Sequence, residues 1–124
     1  VISDLSKTDV YALANWVNNV AGKDRIPANC IEKSPSAELA PEQVDPFDYD
    51  IISPLVDRII ENRESPAALI KDGLNADLVH DIYRRITINE YKRRQAPPGL
   101  RVSPKAFGLG RRIPIVNHFM GRRS

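Results

Sequence analysis

The sequence predicts a mainly α-helical domain of about four helices, with a long irregular loop and an extended basic tail. Three observations predict it. Apolar residues recur at helical spacing in three stretches, cap residues and glycines bracket those stretches, and after the first five residues no segment reads as a strand. The chain has 124 residues and is 42% hydrophobic. That is enough for one core and too short for two.

Val1-Ile2-Ser3-Asp4-Leu5 reads as the end of a strand running into a helix. Such a strand has nothing in the chain to pair with, and no start methionine precedes it, so a piece of a longer protein is expected. Ser6 is the N-cap, and Asp9 is an imperfect capping-box partner where Glu or Gln is preferred. Val10, Leu13, Ala14, Val17, Val20 and Ala21 then keep helical spacing and should bury one face, until Gly22 stops the helix. Residues 23–48 carry Pro27, Pro35, Pro41 and Pro46 without periodicity. A structureless stretch of that length inside a domain is usually functional or disordered.

From Tyr49 a second helix follows, with Ile51, Ile52, Leu55, Val56, Ile59 and Ile60 at helical spacing. Pro54 suits a first turn better than an interior, which makes Ser53 the expected cap. Ser65 and Pro66 open a short helix to Lys71, closed by Gly73. Asn75 caps the next, which should carry Leu78, Val79, Ile82, Tyr83 and Ile86 inward. From Ala96 the chain is rich in Pro, Gly and Arg, with Phe107 and Phe119 as isolated anchors.

The formal net charge of +2 conceals an asymmetry: residues 84–124 hold eleven Lys and Arg against the single acid Glu90, and the part before them is acidic. A basic tail folding back on an acidic body and a surface for phosphates both account for this. No apolar run is long enough to span a bilayer, and no signal-peptide pattern opens the chain. With Cys30 as the one cysteine, an internal disulfide is excluded and a reducing, cytoplasmic setting is expected.

Candidate chemistry is thin. Cys30 and His118 lack any local signature of a cysteine hydrolase, and His80 and His118 without a Cys pair make a poor zinc site. Asp45, Asp48 and Asp50 resemble the start of a calcium loop whose Gly and terminal Glu are missing. No glycine-rich phosphate loop exists, so neither a catalytic residue nor a metal ligand is assigned. Residues 65–90 could form a helix-turn-helix, with the basic run 84–112 meeting nucleic acid. Against that, Asp77 and Asp81 would face the phosphates. Two features suit a smaller phosphate ligand. Lys7 sits in a first helical turn, where free N–H groups already favour anions. Tyr91-Lys92-Arg93-Arg94 clusters bases at a helix end, where cations also simply stabilise the helix.

At these same segments the chain resembles the C-terminal part of the glutamine-dependent NAD synthetases. The stretch Ser3-Asp4-Leu5-Ser6-Lys7-Thr8-Asp9-Val10-Tyr11 is like that family's G-D-L-x-K-T-x-V-Y, and Pro35-Ser36-Ala37-Glu38-Leu39 is like its P-[ST]-A-E-L. Gln43-Val44-Asp45, the run from Asn89 to Gly99, Ala106-Phe107-Gly108 and Arg111-Arg112-Ile113-Pro114-Ile115 follow in the family's order over nearly the whole chain.

The resemblance implies an ATP-consuming ligase with an α/β adenine-nucleotide-binding fold of the Rossmann-like, PP-loop type, of which residues 1–124 would be the C-terminal portion. It implies that Lys7 and Ser36 bind ATP, Ser36 from a mobile active-site loop within residues 23–48, and that Lys92, with Tyr91 beside it, binds deamido-NAD. Tyr91 replaces a His found in the ammonia-dependent branch. ATP with Mg2+, deamido-NAD and glutamine would be the small-molecule partners of a homo-oligomer that needs neither membrane nor nucleic acid. Ser3 departs from the family's Gly. The S-G-G-x-D-S loop, the magnesium acids and the glutaminase domain, which lie upstream in the family, do not occur in this sequence, so residues 1–124 alone are expected to be inactive.

Overall fold

Six helices make up the regular structure of the computed structural model, which describes residues 2–106, 110 and 112–116. They are α1 (Lys7–Ala21), α2 (Ala28–Glu32), α3 (Tyr49–Ile60), α4 (Pro66–Lys71), α5 (Ala76–Ile88) and α6 (Glu90–Gln95). Val1, Phe107, Gly108, Arg111, His118, Phe119, Arg122 and Arg123 lie outside the described residues, and with them both aromatic anchors of the tail. No helix among the described residues is long and apolar enough to cross a membrane.

Three of the four predicted N-caps are present. Ser6 accepts from the Asp9 N–H at 3.3 Å, and the Asp9 carboxylate accepts from the Ser6 N–H at 3.2 Å, so aspartate completes the capping box after all. Gly22 ends α1 in the left-handed region at φ 62°. Ser65 caps α4 through the Ala68 N–H, with Pro66 in the first turn, and Asn75 caps α5 through the Leu78 N–H at 2.9 Å. The core lies between α3, α4 and α5. Ile52, Leu55, Ile59 and Ile60 meet Leu69 from α4 and Val79, Ile82 and Ile86 from α5. Full burial of Ile59, Leu69 and Val79 contributes roughly 1.5–3 kcal/mol each. Arg58 closes the α3–α4 corner, bonding both Glu64 and Asp72.

Several expectations need correction. The opening residues form a turn in which the Leu5 N–H meets the Ile2 carbonyl at 3.1 Å, and no strand occurs among the described residues. An isolated strand end has no ladder to join. Residues 23–48 are not structureless, since they contain α2, and Asn18 of α1 grips Ile26 with two bonds of 2.9 Å. Helix α3 begins at Tyr49 under an Asp48 cap rather than at Ser53, so Pro54 sits inside it. The 76–95 stretch is two helices, because the Asn89 side chain turns back to the Arg85 carbonyl at 2.9 Å. The apolar face of α1 is not buried: Leu13, Trp16 and Val20 are 40–67% exposed. Periodicity defines a face without saying what covers it.

Candidate functional site

The first residue of α1 and the first residue of α3 meet because these two helices pack together. The Lys7 ammonium lies 5.9 Å from the ring centre of Tyr11, one turn further along α1, and 6.0 Å from that of Tyr49. Aromatic faces attract a cation without neutralising it. The exposed ammonium thus lies beside two rings at a helix start whose dipole also favours anions.

Tyr49 extends this cradle to the loop. Its hydroxyl donates to the Asp45 carboxylate at 2.7 Å, and its ring meets Phe47 edge-on. Burial, followed by the hydrogen bond to Asp45 and that residue's charge, pushes the phenol up to about 12, so it stays a neutral donor at neutral pH. The Asp45 N–H in turn donates to the Pro35 carbonyl at 2.8 Å, which closes residues 35–45 into a loop. Inside it Gln43 accepts from the Leu39 N–H at 2.9 Å, and Glu38 and Glu42 take left-handed backbone at φ 52° and 58°. Ser36 is half-buried, and its hydroxyl oxygen accepts from the Glu38 N–H at 3.0 Å, leaving the O–H to donate elsewhere. Lys7 and Ser36 are thus joined through Tyr49, Asp45 and Pro35. Tyr49→Phe keeps the ring and deletes the tie, so amide exchange at Asp45 should accelerate about fivefold, the usual worth of one hydrogen bond. Comparing the two proteins by NMR hydrogen exchange checks this, and equal rates would show the tie to be idle.

Tyr91 and Lys92 occupy the other candidate position, side by side and exposed on α6. That helix packs on α5, and it has no contact with α1. Its anchor is Glu90, 1% exposed, whose carboxylate receives Arg93 at 2.7 Å and Arg94 at 3.3 Å. Arg93 also donates to the Ile86 carbonyl at 2.5 Å, and Arg94 to that of Ile113 at 3.1 Å. These two arginines therefore join α5, α6 and the tail, and Arg85 pairs with Asp81 at 2.6 Å. Much of the basic run that suggested nucleic-acid binding is committed to contacts within the chain.

Tyr11, Tyr49 and Glu90 were not legible as site residues. Glu90 did have a signal, being the only acid among eleven bases at i, i+3 and i+4 from Arg93 and Arg94. Cys30 is exposed, and among the described residues no three of His, Cys, Asp and Glu converge as a metal site, Asp45, Asp48 and Asp50 included.

The chain is similar to known proteins over most of its length. The NAD synthase family model matches residues 1–96. The glutamine-dependent NAD(+) synthetase of Xanthomonas campestris pv. campestris is 40% identical over 124 residues, covering 98% of this chain and 22% of its own length. That of Thermotoga maritima is 39% identical over 122 residues, covering 96% of this chain and 21% of its own. Among solved structures, glutamine-dependent NAD+ synthetase from Acinetobacter baumannii in complex with ADP is 33% identical with a TM-score of 0.53, over 92% of this chain and 20% of that one. The chain spans about a fifth of the length of the relatives it matches.

Proposed function

The chain belongs to the NAD synthase family, and from that premise we propose that it supplies part of the ligase site of a glutamine-dependent NAD synthetase. It would form the C-terminal portion of an α/β adenine-nucleotide-binding domain, Rossmann-like and of the PP-loop type, in a cytoplasmic homo-oligomer whose remaining domains precede it. The match across residues 1–96, which spans all four candidate site residues, carries this reading. The similarity to an ADP-bound synthetase supports ATP use.

In the proposed reaction the nicotinate carboxylate of deamido-NAD attacks the α-phosphate of ATP and pyrophosphate leaves. Ammonia released from glutamine then displaces AMP from the adenylated carboxylate to form the amide. Adenylyl transfer calls for charge neutralisation and alignment more than for a protein nucleophile. Lys7, held between two aromatic faces, would place a positive charge on the ATP phosphates. Ser36 would donate its hydroxyl to the same nucleotide from the 35–45 loop, which would close over the reaction. Lys92 and Tyr91 would bind deamido-NAD from α6. Magnesium, which the ATP chemistry implies, finds no fitting set of ligands among the described residues of this chain, and no step is assigned to it.

The test is synthesis of NAD from deamido-NAD, ATP and glutamine by the full-length protein. Lys92→Ala should raise the KM for deamido-NAD about tenfold, the cost of losing one charged hydrogen bond, with the KM for ATP unmoved. Absence of NAD formation by the wild type would refute the function. Unchanged deamido-NAD kinetics would remove Lys92 from the site.

A further inference from the structure

The turn before α1 and the segment after α6 are 98 residues apart in sequence and are joined by one carboxylate. Asp4 Oδ2 accepts from the Val102 N–H at 2.8 Å, from the Ser103 N–H at 2.8 Å and from the Ser103 hydroxyl at 2.9 Å. The same stretch is braced from within by Arg101, whose guanidinium donates to the Ser103 carbonyl at 3.1 Å and to that of Pro104. Its donors converge on Asp4 and its acceptors on Arg101, so this strap (residues 96–106) is held in shape by two side chains and no ladder.

Between strap and turn lies a cleft of about 950 Å³, lined by Ser3 and Asp4 on one side and by residues 96–101 and 104–106 on the other. Arg63, Arg101, Lys105 and Arg112 all line it. Of its acids, Asp4 is engaged by the strap and Glu90 by Arg93 and Arg94, which leaves Glu61 beside Arg63 and Arg112. Arg63 and Arg112 have no carboxylate partner among the described residues. Arg63 also takes a left-handed backbone, φ 58°, at the corner after α3, where glycine or asparagine would be at ease. Like charges gathered in one concave cleft repel each other, and an anion of suitable size relieves that repulsion.

We propose that Asp4 is a positioning residue whose carboxylate latches the strap to the turn before α1 and so forms a basic cleft for the phosphates of a nucleotide substrate. This rests on the reading of the chain as part of an NAD synthetase. Along the chain, its turn leads into Lys7 and its strap follows from Lys92 through α6. ATP and deamido-NAD both carry phosphates of the required kind, and kinetics with each varied in turn separates them.

The experiment compares full-length wild type with Asp4→Ala, Asp4→Asn, Ser103→Ala and Arg63→Gln, reading KM and kcat for each nucleotide and its affinity by calorimetry. Asp4→Ala and Arg63→Gln should raise the KM for one nucleotide about tenfold while kcat stays within about twofold. Asp4→Asn, which keeps an acceptor oxygen, and Ser103→Ala should fall between. The nucleotide whose KM moves is the one held in the cleft. If Asp4→Ala fails to fold, Arg63→Gln and Ser103→Ala carry the test. Unchanged KM and affinity for both nucleotides in Arg63→Gln and Ser103→Ala would overturn the proposal, as would a fall in kcat alone. A wild type that makes no NAD, yet loses nucleotide affinity in these variants, would refute the synthetase reading and keep the latch.

Discussion

Lys7→Ala in the full-length protein is expected to lower kcat/KM for ATP about 100-fold, the usual effect of removing one preorganised group that meets transition-state charge. The loss should be large because the ammonium lies beside two aromatic rings and no acid pairs with it among the described residues. The rings of Tyr11 and Tyr49 lie 5.9 and 6.0 Å from it, and the start of α1 adds its own partial positive charge. In the proposed reaction, negative charge would develop beside this cation as pyrophosphate departs. Lys7→Arg should restore the activity only in part, since a planar fork does not replace a compact point charge between two rings. Steady-state kinetics with ATP varied at saturating deamido-NAD provides the measurement. A Lys7→Ala protein within threefold of wild type would place the ATP phosphates elsewhere.

The second large effect concerns Glu90 and falls on stability. Glu90→Ala leaves Arg93, whose side chain is 11% exposed, without its carboxylate, and also removes the Arg94 partner on the same helix. Breaking a buried pair by removing one partner costs about 3 kcal/mol. In the full-length protein amide exchange across α5 and α6 should then quicken on the order of 100-fold. Exchange rates within a factor of a few of wild type would show that the tail is held by other contacts. The acid limb carries the same signature. Burial alone would raise the Glu90 carboxyl, but the hydrogen bonds of Arg93 and Arg94, the charge of Arg93 and the Ile113 backbone outweigh it and hold the group below the ordinary 4.5. A carboxyl depressed in the folded state contributes stability that is complete above the unfolded value and is lost as pH falls through the folded one. Wild type should therefore lose protection of α6 below about pH 4.5, and Glu90→Gln should show a flatter dependence there.

How far the site could be read in advance depended on what each residue needs. Ser6, Ser65 and Asn75 were legible as caps because a cap is satisfied within three residues of chain. The buried faces of α3 and α5 were legible because Ile52, Leu55, Ile59 and Ile60, and Val79, Ile82 and Ile86, repeat at helical spacing. Pro54 misled, since the preference for a first turn is an average cost, and the buried residues on either side of it outweigh that cost in α3. The break at Asn89, whose side chain bonds the Arg85 carbonyl between α5 and α6, had no periodic signal to announce it.

The sequence by itself determined α1, α4 and α5 with their N-caps, the apolar face of α3, the acidic-then-basic division and the four residues Lys7, Ser36, Tyr91 and Lys92 as candidates. Each of these depends on local spacing or on a motif that is continuous in the chain. Only the tertiary structure decided that Tyr49 holds Lys7 and ties down the 35–45 loop, that Glu90 turns two arginines inward, and that Asp4 takes hold of Val102 and Ser103. Those contacts are made by single polar side chains, and some close across nearly the whole chain. A hydrogen bond leaves no periodic trace in either partner, so the packing of α1 on α3 and of the strap on the turn was required to bring the pairs together.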